Sequence, residues 1–141
     1  MSADQPSLVV PKPAPSPGEI TRFFWDAARE HRLVVQRCDG CGAYRFPPEV
    51  ACFYCGSLRA SWTPVTGRAV LYSWTVAHPP LLPYFQERSP WLIAVVQLEE
   101  GPRLITNLAG IAPEECEIGM PLECQFEEID DGVTLITFRR R

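Results

Sequence analysis

The chain has 141 residues, 13 basic and 17 acidic side chains and a formal net charge of −4, a size suited to one compact unit or two very small ones. It holds no run of about 18 apolar residues, which excludes a transmembrane helix. Residues 64–141 carry six basic and eleven acidic side chains, the opposite of the basic stripe that marks a nucleic-acid binder.

Residues 1–17 include five prolines, Pro6, Pro11, Pro13, Pro15 and Pro17, and read as a tail that is extended or disordered. Residues 1–20 lack the basic-then-apolar start of a secretory signal. A cytoplasmic protein with reduced thiols is therefore expected. Ser16-Pro17-Gly18-Glu19 predicts a helix start. Ser16 can cap, Pro17 suits the first helical position, and Glu19 completes a capping box. The helix is expected over residues 18–32, with Ile20, Phe23, Phe24, Ala27 and His31 as its apolar stripe. Arg22, Trp25, Arg29 and Arg32 fall on neighbouring angles of the opposite face. That face reads either as a solvated one or as a contact for an anionic ligand or a partner.

Residues 33–63 read as a zinc ribbon. Leu33–Arg37 forms a short strand leading into Cys38-x-x-Cys41, and Cys52-x-x-Cys55 follows after ten intervening residues. Two such pairs offer four thiolates to one tetrahedral ion. Gly42 and Gly56 stand directly after the pairs and let the backbone turn its amides toward sulfur. Pro47-Pro48 suits a turn between the two arms. Rubredoxin-type iron would use the same four ligands. A redox C-x-x-C would need one pair only, and a disulfide framework among the six cysteines is the alternative that reduced thiols disfavour. Cys116 and Cys124 have no such spacing and are expected to pack as small apolar residues.

Residues 64–141 read as five strands, at 68–77, 91–98, 103–109, 121–129 and 133–139. Asp130-Asp131-Gly132 is a hairpin signal between the last two. A five-stranded OB-fold barrel is the expected architecture, with a small β-sandwich as the competitor. The whole chain is then mainly β, with one short N-terminal helix.

The connection at residues 77–90 contains Pro79, Pro80, Pro83 and Pro90 beside Leu81, Leu82, Tyr84 and Phe85. Loops of this length without structure usually have a task. It reads either as a lid folded back on the barrel or as a contact for a partner or an acyl ligand, with Phe85 as anchor.

No catalytic constellation is visible. His31 belongs to the expected helix stripe, and His78 opens the loop with no nearby carboxylate to orient it. Four cysteine ligands leave a zinc ion no open position for water. No Gly-rich phosphate loop or nucleophile elbow occurs.

Taken in order, Phe24-Trp25, Leu33 through Cys38-Asp-Gly-Cys41-Gly, Phe46-Pro-Pro48, Cys52-Phe-Tyr-Cys55-Gly-Ser57, Gly67, Tyr72-Ser-Trp-Thr-Val76, His78, Pro83, Phe85, Ala94-Val95, Gly101, Gly119-Met120 and Phe138-Arg139 resemble one family. Its members are small rubredoxin-like zinc-ribbon plus OB-fold proteins that accompany thiolase-like acyl-CoA enzymes. The resemblance spans about residues 22–140. It implies structural zinc on Cys38, Cys41, Cys52 and Cys55. It also implies a non-catalytic role as an accessory subunit of a thiolase, an acyl-CoA synthase or a steroid side-chain aldolase. The chemistry would sit in the partner, with acyl-CoA at the interface and a hot-dog-fold enoyl-CoA hydratase as a further partner. The rival reading is a single-stranded nucleic-acid-binding module, because ribbons and OB-folds often serve there. Glu49 stands where many relatives carry arginine, and Phe53 where many carry proline; the four ligands are unaffected.

Overall fold

A computed structural model describes residues 10–129 and 132–141. The expected hairpin residues Asp130 and Asp131, and residues 1–9 of the expected tail, lie outside that range. Helix α1 (Arg22–Arg29) is followed by a three-stranded ribbon sheet of β1 (Val34–Cys38), β2 (Tyr44–Arg45) and β3 (Ala60–Pro64), in the order β2-β1-β3. Then come β4 (Arg68–Ala77), a short helix α2 (Pro83–Gln86), β5 (Trp91–Leu98), β6 (Arg103–Thr106), a 3-10 turn at Pro113–Glu115, β7 (Pro121–Glu128) and β8 (Thr134–Arg140). The five long-sheet strands run β6-β5-β4-β7-β8, all neighbours antiparallel.

This is the OB-fold order. β4 is shared between two partners because it bends: its register with β5 slips between Leu71 and Ser73. A bulge of this kind turns a strand from one half of a barrel to the other. Residues 68–70 pair with β7, whereas the pairing with β5 runs on to Ala77. The sheet then curls until its two edges meet. Leu108 and Phe138 form a parallel bridge, Phe138 N–H donates to Asn107 O and Ala109 N–H to Phe138 O, and the Thr106 hydroxyl donates to Ile136 O at 2.9 Å.

One core runs through the molecule. Leu71, Ala94, Val96, Leu98, Leu104, Leu122 and Phe138 from the barrel are buried with Phe24 from α1 and Leu33 and Val35 at β1. The ribbon is therefore anchored by its first strand in the barrel's own apolar interior. Behind that strand, buried Gln36 accepts from Arg45 Nε (2.8 Å) and from Glu49 N–H (2.9 Å), while Arg45 Nη2 donates to Glu49 O (3.1 Å). These bonds fix the Pro47-Pro48 turn to β1. At the junction with the barrel, buried Gly67 has φ +80°, and a Cβ there would meet Cys124 Cβ at 3.0 Å. Only glycine fits both constraints.

The N-terminal region differs from expectation in four ways. The helix starts at Arg22, with Thr21 rather than Ser16 at the N-cap position, because the Thr21 hydroxyl accepts from Gly18 N–H at 3.0 Å and folds residues 18–21 into a turn of their own. It ends before His31, which adopts φ 57° and breaks the helical path. Its buried face is Phe24, Ala27 and Ala28, so Phe24 and Ala27 of the expected stripe are in place, whereas Ile20, Phe23 and His31 are exposed. Phe23 remains 49 % exposed and stacks on Trp62 at 5.3 Å. His31 is exposed, stacked on Phe126 at 5.1 Å and 3.2 Å from a Glu128 carboxylate oxygen. Finally, residues 10–17 do not all stand clear of the fold, since Lys12 packs against the barrel with 13 % of its side chain exposed.

Candidate metal centre and flanking surfaces

Each C-x-x-C pair forms the same small turn. Gly42 N–H donates to Cys38 O (2.9 Å), and Gly56 N–H donates to Cys52 O (3.0 Å). Cys38 N–H and Cys52 N–H are held by Ala43 O and Ser57 O, each at 2.9 Å. Both glycines have φ +76°, the left-handed conformation that brings the chain back sharply under the sulfurs. The two turns face each other, and the four Sγ atoms of Cys38, Cys41, Cys52 and Cys55 all lie within 4.8 Å of one another. Cys38–Cys55 and Cys41–Cys52 are 3.5 and 3.6 Å apart.

The donor set fits zinc. Four sulfurs bonded at about 2.3 Å form a tetrahedron with edges of about 3.8 Å, and the separations here bracket that edge. The backbone favours thiolate. Amides of Cys55 and Tyr54 draw the Cys52 thiol down to about 6, and the amide of Cys41 draws Cys38 below its usual value. Cys55 behaves oppositely. The Ser57 amide pulls it down, but its contacts with the Cys38, Cys41 and Cys52 sulfurs, together with burial, push it up to about 11. Four negative sulfurs this close repel one another, and a dication removes that conflict. The site holds structural zinc. With four protein ligands it is coordinatively closed, so it orders the ribbon and offers no Lewis-acid position.

The 77–90 loop contains α2, where the sequence suggested no element. Tyr84 and Phe85 on α2 turn inward and are half-buried. Phe85 lies 4.9 Å from Trp91 and 5.2 Å from Tyr84, ring centre to ring centre, and Arg88 covers Tyr84 at 3.8 Å. Leu81 is half-buried and His78 exposed. Leu82 projects, 61 % exposed. The expected anchor Phe85 thus braces the loop from behind, and Leu82 occupies the outer position.

On α1, Trp25 is half-buried, edge-on to Phe24 at 5.1 Å. It lines a cleft of about 240 Å³ with Phe46, Ile105 and Ile136. Arg22 and Arg29 are exposed. Arg32 lies beyond the helix and pairs with Glu30 at 2.7 Å, so it does not join them on one helical face. A feature the sequence reading passed over is the aromatic pair after Cys52. Phe53 and Tyr54 are 61 % and 76 % exposed. They border an open cavity of about 690 Å³ between the ribbon and the β5–β6 turn, with Tyr44, Glu100 and Arg103. Two adjacent aromatics in a knuckle that buries only its cysteine were the available signal.

Among the described residues, no helix is long and apolar enough to cross a membrane.

Residues 25–59 match the profile of the ChsH2 rubredoxin-like zinc ribbon domain, and residues 62–127 match that of the ChsH2 C-terminal OB-fold domain. A probable enoyl-CoA hydratase alpha subunit of Thermomonospora curvata is 42 % identical over 128 residues, covering 91 % of this chain and 40 % of that protein. The 3-oxo-4,17-pregnadiene-20-carboxyl-CoA hydratase alpha subunit of Mycobacterium tuberculosis is 35 % identical, covering 83 % and 37 %. The chain thus spans about two-fifths of the length of these two relatives. A DUF35 domain-containing scaffold protein of Pyrococcus furiosus is 30 % identical, covering 89 % of this chain and 93 % of that one. Among solved structures, a chain of the Ltp2-ChsH2(DUF35) aldolase superposes with TM-score 0.81 at 42 % identity, covering 90 % of this chain and 98 % of that one.

Proposed function

From the premise that the chain belongs to the ChsH2-type DUF35 family of zinc-ribbon plus OB-fold proteins, we propose that it is a non-catalytic scaffold subunit of a thiolase-like acyl-CoA enzyme, with a steroid side-chain aldolase as the leading partner. The observation that carries this reading is the likeness to a chain of the Ltp2-ChsH2(DUF35) aldolase over nearly that chain's full length. The closed four-cysteine centre supports it, because the chain's metal has no position from which to act on a substrate.

In this reading the 77–90 loop meets the partner. Leu82 enters an apolar pocket of the enzyme, and Tyr84, Phe85 and Trp91 give it a rigid base. Burying such a side chain contributes about 1.5–3 kcal/mol, and preformed rigidity lowers the entropy cost of association. Trp25 with Arg22 and Arg29 forms a second contact, where the indole and two guanidinium groups suit the adenine and phosphates of an acyl-CoA.

The test is co-purification of the tagged chain with a candidate aldolase, comparing wild type with Leu82→Asp and Phe85→Ala. Zinc content and thermal stability serve as fold controls. Leu82→Asp should weaken capture at least tenfold, the loss of about 1.4 kcal/mol or more. Full capture by a well-folded Leu82→Asp protein would reassign the loop to a lid, and failure of the wild type to capture any thiolase-like enzyme would remove the scaffold reading.

A further inference from the structure

Lys12 is the one lysine of the chain, and it occupies a built cage. Its Nζ lies 3.0 and 3.1 Å from the two carboxylate oxygens of Glu127 on β7. It stands 6.0 Å from the ring centre of Tyr84 and 5.9 Å from that of Trp91. One ammonium therefore ties four segments together: residues 10–17, the 77–90 loop, the start of β5 and β7. Holding a lysine side chain still costs rotamer entropy. The ion pair and the two aromatic faces must jointly outweigh that cost.

The loop has few other fastenings. α2 is four residues long and contains no buried residue. A single helical turn has little stability of its own. Its tie to the barrel is the ring cluster of Tyr84, Phe85 and Trp91, and Lys12 sits against two of those three rings. We propose that residues 10–17 form a strap that pins the 77–90 loop shut through Lys12, and that withdrawing Lys12 from the Tyr84–Trp91–Glu127 cage frees the loop to open. The strap then sets how often the loop leaves the barrel.

Hydrogen exchange of the full zinc-loaded chain tests this without any docking partner. The reporters are the amides of residues 85–89, which donate to carbonyls of Leu82, Pro83, Phe85 and Gln86. Lys12→Ala and Glu127→Gln should each speed their exchange about three- to tenfold, the weight of one part-buried ion pair with its cation–π contacts. Lys12→Arg should retain protection. Lys12→Glu should open the loop, and adding Glu127→Lys should close it in part, because the ion pair returns while the two rings no longer face a cation. The amides of Gly42 and Gly56 in the ribbon should not change in any variant. Unchanged exchange at 85–89 in Lys12→Ala would overturn the strap, as would a swapped pair as open as Lys12→Glu alone. Should a single variant loosen the ribbon as well, the swapped pair, which restores the ion pair, decides.

Discussion

Stripping the zinc should melt the two knuckles and leave the barrel standing. Leu33, Val34 and Val35 are all buried, and Leu33 and Val35 belong to the core that runs through the barrel. At about 1.5–3 kcal/mol per buried side chain, these three hold the start of the ribbon with about 5–9 kcal/mol, an upper figure because unfolded chains are already partly compact. The two metal-binding turns, residues 38–42 and 52–57, have no such anchor, in contrast to the segment between them, where Arg45 is buried and Phe46 packs on the core. In the knuckles the buried side chains are the ligands Cys38 and Cys52, while Phe53, Tyr54 and Leu58 face outward. Zinc supplies the ordering there, with apparent binding of about 10–16 kcal/mol in zinc-finger peptides. The assay is stoichiometric chelation followed by hydrogen exchange. Amides of Gly42 and Gly56 should lose protection on chelation, and those of β4, β5 and β7 should keep it. Cys52→Ser should give the same pattern. Loss of protection in the ribbon and the barrel together would refute the reasoning, because it would mean that the metal, not β1, holds the two parts as one unit.

Three substitutions probe the rest of the fold by denaturant unfolding. Gly67→Ala forces a side chain into φ +80° and against Cys124 Cβ at 3.0 Å, and should cost about 1–3 kcal/mol; an unchanged midpoint would show that the junction relaxes freely. Phe138→Ala empties the most voluminous of the fully buried side chains and should cost about 3–5 kcal/mol. Gln36→Leu removes the acceptor for both Arg45 Nε and Glu49 N–H and should cost about 2–4 kcal/mol from stranded buried donors, whereas a loss below about 0.5 kcal/mol would mean that both donors find other partners.

The barrel was legible because its signals are local. Strands β4 and β5 have the predicted bounds, 68–77 and 91–98, where β-branched and aromatic residues run between proline and glycine turns. The metal ligands were legible for the same reason, since each pair is a short local motif whose turn is set by one glycine. Strand β3 was not, because Ala-Ser-Trp-Thr-Pro alternates over only five residues, carries one large apolar side chain and ends in proline, so its strand state shows only in its pairing with β1. The helix was overextended because Ser16-Pro17-Gly18-Glu19 is a valid start signal that lost to the Thr21 turn. The inward turn of Tyr84 and Phe85 was not legible, because composition cannot say which way a four-residue helix turns its rings. The contact of Lys12 with Glu127 spans 115 positions, and no local pattern announces a pair that distant.

The six cysteines have a consequence for handling the protein. Four are shared with one ion. The other two are shielded differently: burial pushes Cys124 up to about 12 and raises Cys116 as well, so both are protonated thiols at neutral pH and poor nucleophiles. The zinc-loaded chain should therefore look nearly thiol-free to an alkylating reagent. Each chelated molecule should then reveal its four ligand thiols together, and the remaining pair only in denaturant. A simple alkylation count thus reports zinc occupancy and fold integrity in the same tube, and makes the chain its own gauge of oxidative damage.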